Sequence, residues 1–250
     1  MTAPPVLEAT DVVKELGSGA GKVLALKGVT VALHPGELTL LMGPSGSGKT
    51  TLLSILGCIL TPTSGTIRVA GNVTTGLPPE KLAALRRDHI GFIFQSYNLF
   101  PTLSALENVR IALDVRGEKG FKAAARAEEV LRDVGLGHRL KYPPGNMSGG
   151  EQQRVAVARA IATSPSVVLA DEPTAALDTE NGHAVMALLA RIAKEQNRSV
   201  LVVTHDPRTL PYADRVVRIE DGRIVGEERR PEGLDAPEIT DLAKRRKAHG

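Results

Sequence analysis

Several short stretches of this 250-residue chain carry residues whose types and spacing can do chemistry on phosphates. In GPSGSGKTT (43–51), Gly43, Gly46 and Gly48, with Pro44, Ser45 and Ser47 between them, let backbone N–H groups turn inward toward phosphate oxygens. The helix expected next adds its positive end. Lys49 can reach the β- and γ-phosphates, the Thr50 hydroxyl can coordinate Mg²⁺, and Thr51 completes the run. VVLADE (167–172) is four apolar residues followed by two acids. Carboxylates at the carboxyl end of a parallel strand sit beside a phosphate loop in open α/β sheets. Strand alternation would separate the two acids, with Asp171 facing a metal and Glu172 a water that it orients and deprotonates. His205 ends SVLVVT and Gln95 ends IGFIF. If those strands share the sheet, His205 is placed for a γ-phosphate contact and Gln95 for the metal shell.

A second glycine-rich run, MSGGEQQR (147–154), lies about a hundred residues further on. Ser148, Gly149 and Gly150 open a helix whose first N–H groups have no internal partners, which makes a second anion site. The same residues read equally well as a capped helix start with Ser148 as N-cap.

The elements that must hold these residues are legible in outline. Val29, Val31 and Leu33 alternate as a half-buried strand, His34-Pro35-Gly36 turns the chain, and LTLLM is a fully buried strand feeding the first loop. A helix is expected over 50–60, a strand in GTIRVAG, a helix over 78–87 and a strand in IGFIF. The texture is then helical for about seventy residues. Ser104 and Glu107 form a capping box, 122–134 reads as a helix closed by Gly135, and 151–162 as a third. Strand texture returns at VVLA, a helix follows over 182–194, then SVLVVT, then a hairpin turned by Asp221-Gly222. The fold class is α/β: a P-loop core with an inserted all-helical portion and an antiparallel β portion.

Composition narrows the function classes. The net charge of +3 comes from four residues, Lys244, Arg245, Arg246 and Lys247; without them 27 basic residues face 28 acidic ones. The body is therefore no polyanion binder, and the scarcity of aromatic residues argues against a base-stacking platform. Cys58, the single cysteine, excludes an intrachain disulfide and reads as a small buried hydrophobe on an apolar helix. MTAPPVLEAT has no signal-peptide pattern, and LLSILGCIL is about half the length of a membrane helix, so a cytoplasmic location is expected.

Taken together, GPSGSGKT, VVLADE, Gln95, MSGGE, Asp178 within AALD, and His205, in that order, resemble the nucleotide-binding subunit of ABC transporters. The resemblance covers nearly the whole chain. It implies ATP and Mg²⁺ as cofactors and a core of 1–95 and 165–229, with a helical signature subdomain at 96–164 and a basic tail at 230–250. It also implies a homodimer packed head to tail, in which one copy's phosphate loop and the other's Ser148, Gly149, Gly150 and Glu151 enclose one ATP. Asp178 is then a dimer contact, Glu172, His205, Gln95 and Lys49 are catalytic, and Thr50, Gln95 and Asp171 hold the metal. An integral-membrane permease is the implied partner, with a periplasmic adaptor reached through it, and the chain sits on the inner face of the plasma membrane. FIFQSYNLFPTLSALENV and the SGGEQQRVAVARAIA stretch are similar to the macrolide-exporter, lipoprotein-release and cell-division group. The ending VTHDPRTLPYADRVVRIEDGRI is most similar to the heterocyst glycolipid export branch.

Three departures stand out. Leu16 occupies the position where the family stacks an aromatic on adenine, Met147 replaces the usual signature Leu, and Glu151 the commoner Gln. The alternative function is an ATPase that drives mechanical signalling across the membrane without moving a solute. A soluble ABC protein acting on DNA or ribosomes would need coiled-coil arms, zinc cysteines or tandem cassettes, and a nucleotide kinase would leave MSGGEQQR without a role.

Overall fold

The computed structural model describes residues 3–230, so the basic cluster at 244–247 lies outside the described residues. In chain order the elements are β1 (Leu7–Leu16), β2 (Val23–Leu33), β3 (Leu38–Met42), α1 (Lys49–Leu56), β4 (Ser64–Val69), β5 (Asn72–Val73), α2 (Pro79–His89) and β6 (Ile90–Ile93). There follow α3 (Ala105–Val115), α4 (Gly120–Asp133), α5 (Gly149–Ile161), β7 (Val167–Asp171), α6 (Thr179–Glu195), β8 (Ser199–Thr204), β9 (Arg215–Glu220) and β10 (Arg223–Arg229). The central sheet has the order β10-β9-β3-β8-β7-β6, parallel except for β10; the second sheet, β2-β1-β4-β5, is antiparallel.

Every residue of β3 and β8 is buried, as expected for parallel strands covered on both faces. Alternation divides the core. Leu41, Leu169, Leu201 and Val203 pack with α1 and the antiparallel sheet, while Leu38, Leu40, Val168, Val200 and Val202 pack with α3, α4, α5 and α6. The three helices inserted between β6 and β7 thus share one apolar core with the underside of the sheet. At the end of β3 away from the glycine-rich loop, buried Arg215 pairs with Glu37 at 2.6 Å and reaches Thr39. Burial alone would raise the Glu37 carboxyl, but the Thr39 hydroxyl and the Arg215 and Arg229 charges outweigh it and hold the acid low.

Several boundaries differ from the sequence reading. β1 was not anticipated: Asp11 has φ +50° and the register shifts between Ala9 and Val12, so bulges erase the alternation that marks a strand. α1 stops at Leu56, four residues before the expected end. A Cβ at Gly57 would collide with the Phe92 ring, and Cys58 turns left-handed at φ +55°. Cys58 is buried as expected but off the helix, and burial pushes its thiol up to about 11. α5 begins at Gly149 and α6 at Thr179, two and three residues early, because Ser148 and Asp178 cap them. The capping box at Ser104 and Glu107 is present, and Asp221 and Gly222 take the positive φ values expected of the hairpin turn.

Candidate active site

β3 delivers the chain into the loop 43–48, and α1 leaves it. A Cβ at Gly43 would collide with Ile219 O, and one at Gly48 (φ +101°) would lie 2.7 Å from Ala25 O, so both positions require glycine. Gly46, also left-handed at φ +77°, faces open space. The loop is braced from outside: Gly222 N–H donates to Ser47 O at 3.0 Å, and Lys27 N–H to Gly222 O at 2.8 Å. The β9–β10 turn thereby ties the loop to the antiparallel sheet. No side chain caps α1.

Lys49 is buried, and its ammonium donates to Gly43 O and Pro44 O, each at 2.8 Å. These two bonds fix its direction along the loop and leave its third N–H for another acceptor. Residues from three other strand ends share its cavity. Gln95, Asp171, Glu172 and His205 line one cavity of about 740 Å³ with Lys49, Thr50 and the loop residues Pro44, Ser45 and Gly46. The size is that of a small-molecule site.

The two acids are not arranged as strand alternation predicts. β7 ends at Asp171, and Glu172 turns left-handed at φ +46° with its N–H bonded to Val203 O at 2.9 Å. That turn, uncommon for a non-glycine residue, brings both acids to the same cavity. Asp171 Oδ1 is buried without a partner. Burial, then the neighbouring Glu172 charge, push the Asp171 carboxyl above its ordinary range; Lys49 and the Thr50 hydroxyl pull the other way. Glu172 Oε1 lies 2.8 Å from His205 Nδ1, with the acid mostly covered and the imidazole mostly exposed. An unpaired buried carboxylate oxygen, a hydroxyl and a neutral amide, beside a cradle that accepts phosphate oxygens, fit Mg²⁺, which takes one or two carboxylates and leaves its other positions to substrate and water. Among the described residues no cluster of three His, Cys, Asp or Glu offers an all-protein cage.

Leu16, Val23, Leu24 and Ala25 add apolar lining to the same cavity, and Asp221 and Gly222 line it too. Sequence reasoning had found only Leu16. The start of β2 carries no signal beyond exposed aliphatics, whereas the Asp221-Gly222 turn was legible as a hairpin but not as part of a site.

Ser148, Gly149, Gly150, Glu151 and Asp178 do not line this cavity. Ser148 Oγ accepts Glu151 N–H at 3.2 Å and Glu151 Oε2 accepts Ser148 N–H at 2.9 Å, a complete capping box. A Cβ at Gly150 would collide with Asn181, whose own amide nitrogens bond to Asp178 at 2.8 Å. Gln153, fully buried, donates to Pro173 O at 2.8 Å, directly after Glu172. The second glycine-rich run is thus packed through Gly150 and Gln153 onto the segment between Glu172 and α6.

The profile described as ABC transporter matches residues 26–175. The chain belongs to the ABC transporter family. It is 46% identical over 241 residues to a macrolide export ATP-binding/permease protein of Salmonella typhimurium, covering 94% of this chain and 37% of that protein. To its counterpart in Escherichia coli K12 it is 43% identical over 236 residues, covering 94% and 36%. The chain therefore spans little more than a third of the length of these curated relatives. Among solved structures it is similar to the dimeric ATP-binding cassette MJ0796 in a post-hydrolysis state bound to ADP and Pi (TM-score 0.81, 39% identity, covering 89% of this chain and 98% of that one). It also resembles cbiO1 from Clostridium perfringens, part of an ABC transporter complex (TM-score 0.80, 28% identity, covering 91% and 89%). The chain is an ABC ATPase of the macrolide-exporter group, and its described residues include no helix long and apolar enough to cross a membrane.

Proposed function

We propose that this ABC ATPase powers a membrane exporter by closing on a second copy of itself around ATP, then reopening after hydrolysis. One observation carries the reading. A single cavity collects Lys49, Thr50, Gln95, Asp171, Glu172 and His205, while Ser148, Gly149 and Gly150 of the same chain stay off it. Donors for the open side of the nucleotide must then come from another molecule, and an isologous pair supplies both sites at once.

In this reading the loop amides and Lys49 hold the phosphates, and Thr50, Asp171 and Gln95 hold Mg²⁺. Bound there, Mg²⁺ supplies charge neutralisation for the phosphates. Glu172 orients the attacking water and accepts its proton. His205 Nδ1–H donates to the Glu172 carboxylate, which can only accept, and so fixes it; the other ring nitrogen reaches the γ-phosphate as a donor when it too carries a proton. Leu16, Val23 and Leu24 give the base an aliphatic floor in place of an aromatic one. Ser148 Oγ accepts a bond from Glu151 N–H, and its hydroxyl proton remains for a second copy's γ-phosphate, so cap and anion contact coexist. Asp178 faces the pair interface.

For the permease, the fitting surface is a second groove of about 800 Å³ between α2 and the inserted helices, with Phe92, Phe94, Phe100 and Val115 among its lining. It adjoins Gln95, so a contact there is placed to sense the phosphate end of the cavity. A permease on this groove would hold the chain at the inner face of the membrane, and any periplasmic adaptor would be met only through it. The test is Glu172→Gln with ATP and Mg²⁺. Light scattering should find a stable dimer and turnover should fall at least about 100-fold; a strictly monomeric variant, or unchanged turnover, overturns the reading.

A further inference from the structure

The signature run of this chain carries an acid, Glu151, one residue after the glycines meant for a polyanion. For the helix alone this is favourable, because a carboxylate in the first turn complements the helix dipole. For an incoming phosphate it is a liability of the same origin, since both anions compete for one positive helix end.

The structure answers the conflict with a dedicated partner. Glu151 Oε2 is taken by Ser148 N–H at 2.9 Å and Oε1 by Arg139 Nε at 2.9 Å. The Arg139 guanidinium is itself fixed, stacked 4.8 Å over the Tyr142 ring. His138 Nε2 stands 4.0 Å from the same Oε1. Glu151 is largely covered, at 14% side-chain exposure. Burial would raise its carboxyl, but the Ser148 N–H and Arg139 outweigh that and hold it below the ordinary carboxylate range. Arg139 lies in the turn before the signature, outside every motif read from the sequence.

We propose that Arg139 is a positioning residue for ATP. By holding the Glu151 carboxylate back against its own helix and cancelling its charge, it leaves Ser148, Gly149 and Gly150 able to receive the polyphosphate bound to a second copy. The inference rests on the two-chain reading above. It predicts a signed charge cycle that a purely structural bond would not produce.

The experiment measures the ATP concentration giving half-maximal dimer, by light scattering of the full chain in the Glu172→Gln background with Mg²⁺. Arg139→Gln removes the cation hydrogen-bonded to the carboxylate and should raise that midpoint about tenfold. Glu151→Gln keeps the capping box, which Gln serves as well as Glu, and leaves an extra positive charge, so it should lower the midpoint about threefold. The double variant, neutral again, should return to the parent. Arg139→Lys should stay within about threefold of the parent, and the spread between the single variants should narrow in high salt. A double variant as weak as Arg139→Gln alone, or an unshifted Arg139→Gln, overturns the inference while the parent still dimerises. Failure of the parent itself to dimerise overturns the two-chain reading, and this inference with it.

Discussion

The two glycine-rich helix starts are built on the same principle and finished differently. At α1, which begins with Lys49, no side chain caps the helix, and strand ends bring Asp171, Glu172, Gln95 and His205 to the same cavity. At α5 the N3 amide is already satisfied by Ser148, and the adjacent carboxylate is turned back onto its own helix start and paired with Arg139. In the proposed reading the first loop gathers the groups for breaking a phosphate bond, and the second supplies donors. The first is incomplete on its open face, and the second has nothing of its own to complete. That asymmetry is what the proposed pairing rests on.

The sharpest way to break this comparison is to disable one loop in each of two chains. Lys49→Ala removes the cation of the first, and Ser148→Arg blocks the second. Each variant alone should lose nearly all ATPase activity. An equal mixture forms mixed pairs in which one site has both loops intact, and should recover about a quarter of wild-type activity. No recovery in a mixture shown to form mixed pairs would mean that the loops do not serve one another.

The next effect is confined to the first loop. Asp171 is pushed above the ordinary carboxylate range, so its ionisation at neutral pH opposes folding; that cost is absent below the unfolded pKa and complete above the folded one. Asp171→Asn removes it. Melting at neutral pH should occur at a higher temperature than wild type, the difference closing as pH falls, while Mg²⁺-dependent hydrolysis drops by about 100-fold. A variant less stable than wild type at neutral pH would mean that the acid is held by partners other than those seen.

What the sequence showed of this contrast was its chemistry. The two loops, the paired acids, Gln95 and His205 were legible because phosphate chemistry restricts residue types at short spacings. The buried strands were legible because parallel strands read as unbroken apolar runs. What escaped depends on contacts between distant segments. β1 was hidden by its bulges, and the early end of α1 by Phe92, which lies thirty-five residues beyond Gly57 in the chain. The left-handed turn at Glu172 replaced the expected alternation because the bond from its N–H to Val203 O belongs to the neighbouring strand. The bracing of the first loop by Gly222 and the restraint of Glu151 by Arg139 join segments that carry no common motif. Whether Ser148 caps a helix or meets an anion had no answer in sequence, because the two uses draw on different atoms of one hydroxyl group.

That hydroxyl gives the smallest effect and the finest discrimination. Ser148→Ala deletes the acceptor for Glu151 N–H and should cost about 1 kcal/mol, lowering the melting temperature by about 2–4 °C. Its effect on nucleotide binding depends on which loop the nucleotide meets first. Since Ser148 does not line the cavity holding Lys49, ADP affinity of the monomeric chain, measured by titration calorimetry, should change by no more than about twofold. ATP-driven pairing should weaken by about tenfold, the scale of one lost hydrogen bond to a charged group. If ADP affinity instead fell with the pairing, both helix starts would be holding the same nucleotide within one molecule, and the division of labour between them would be wrong.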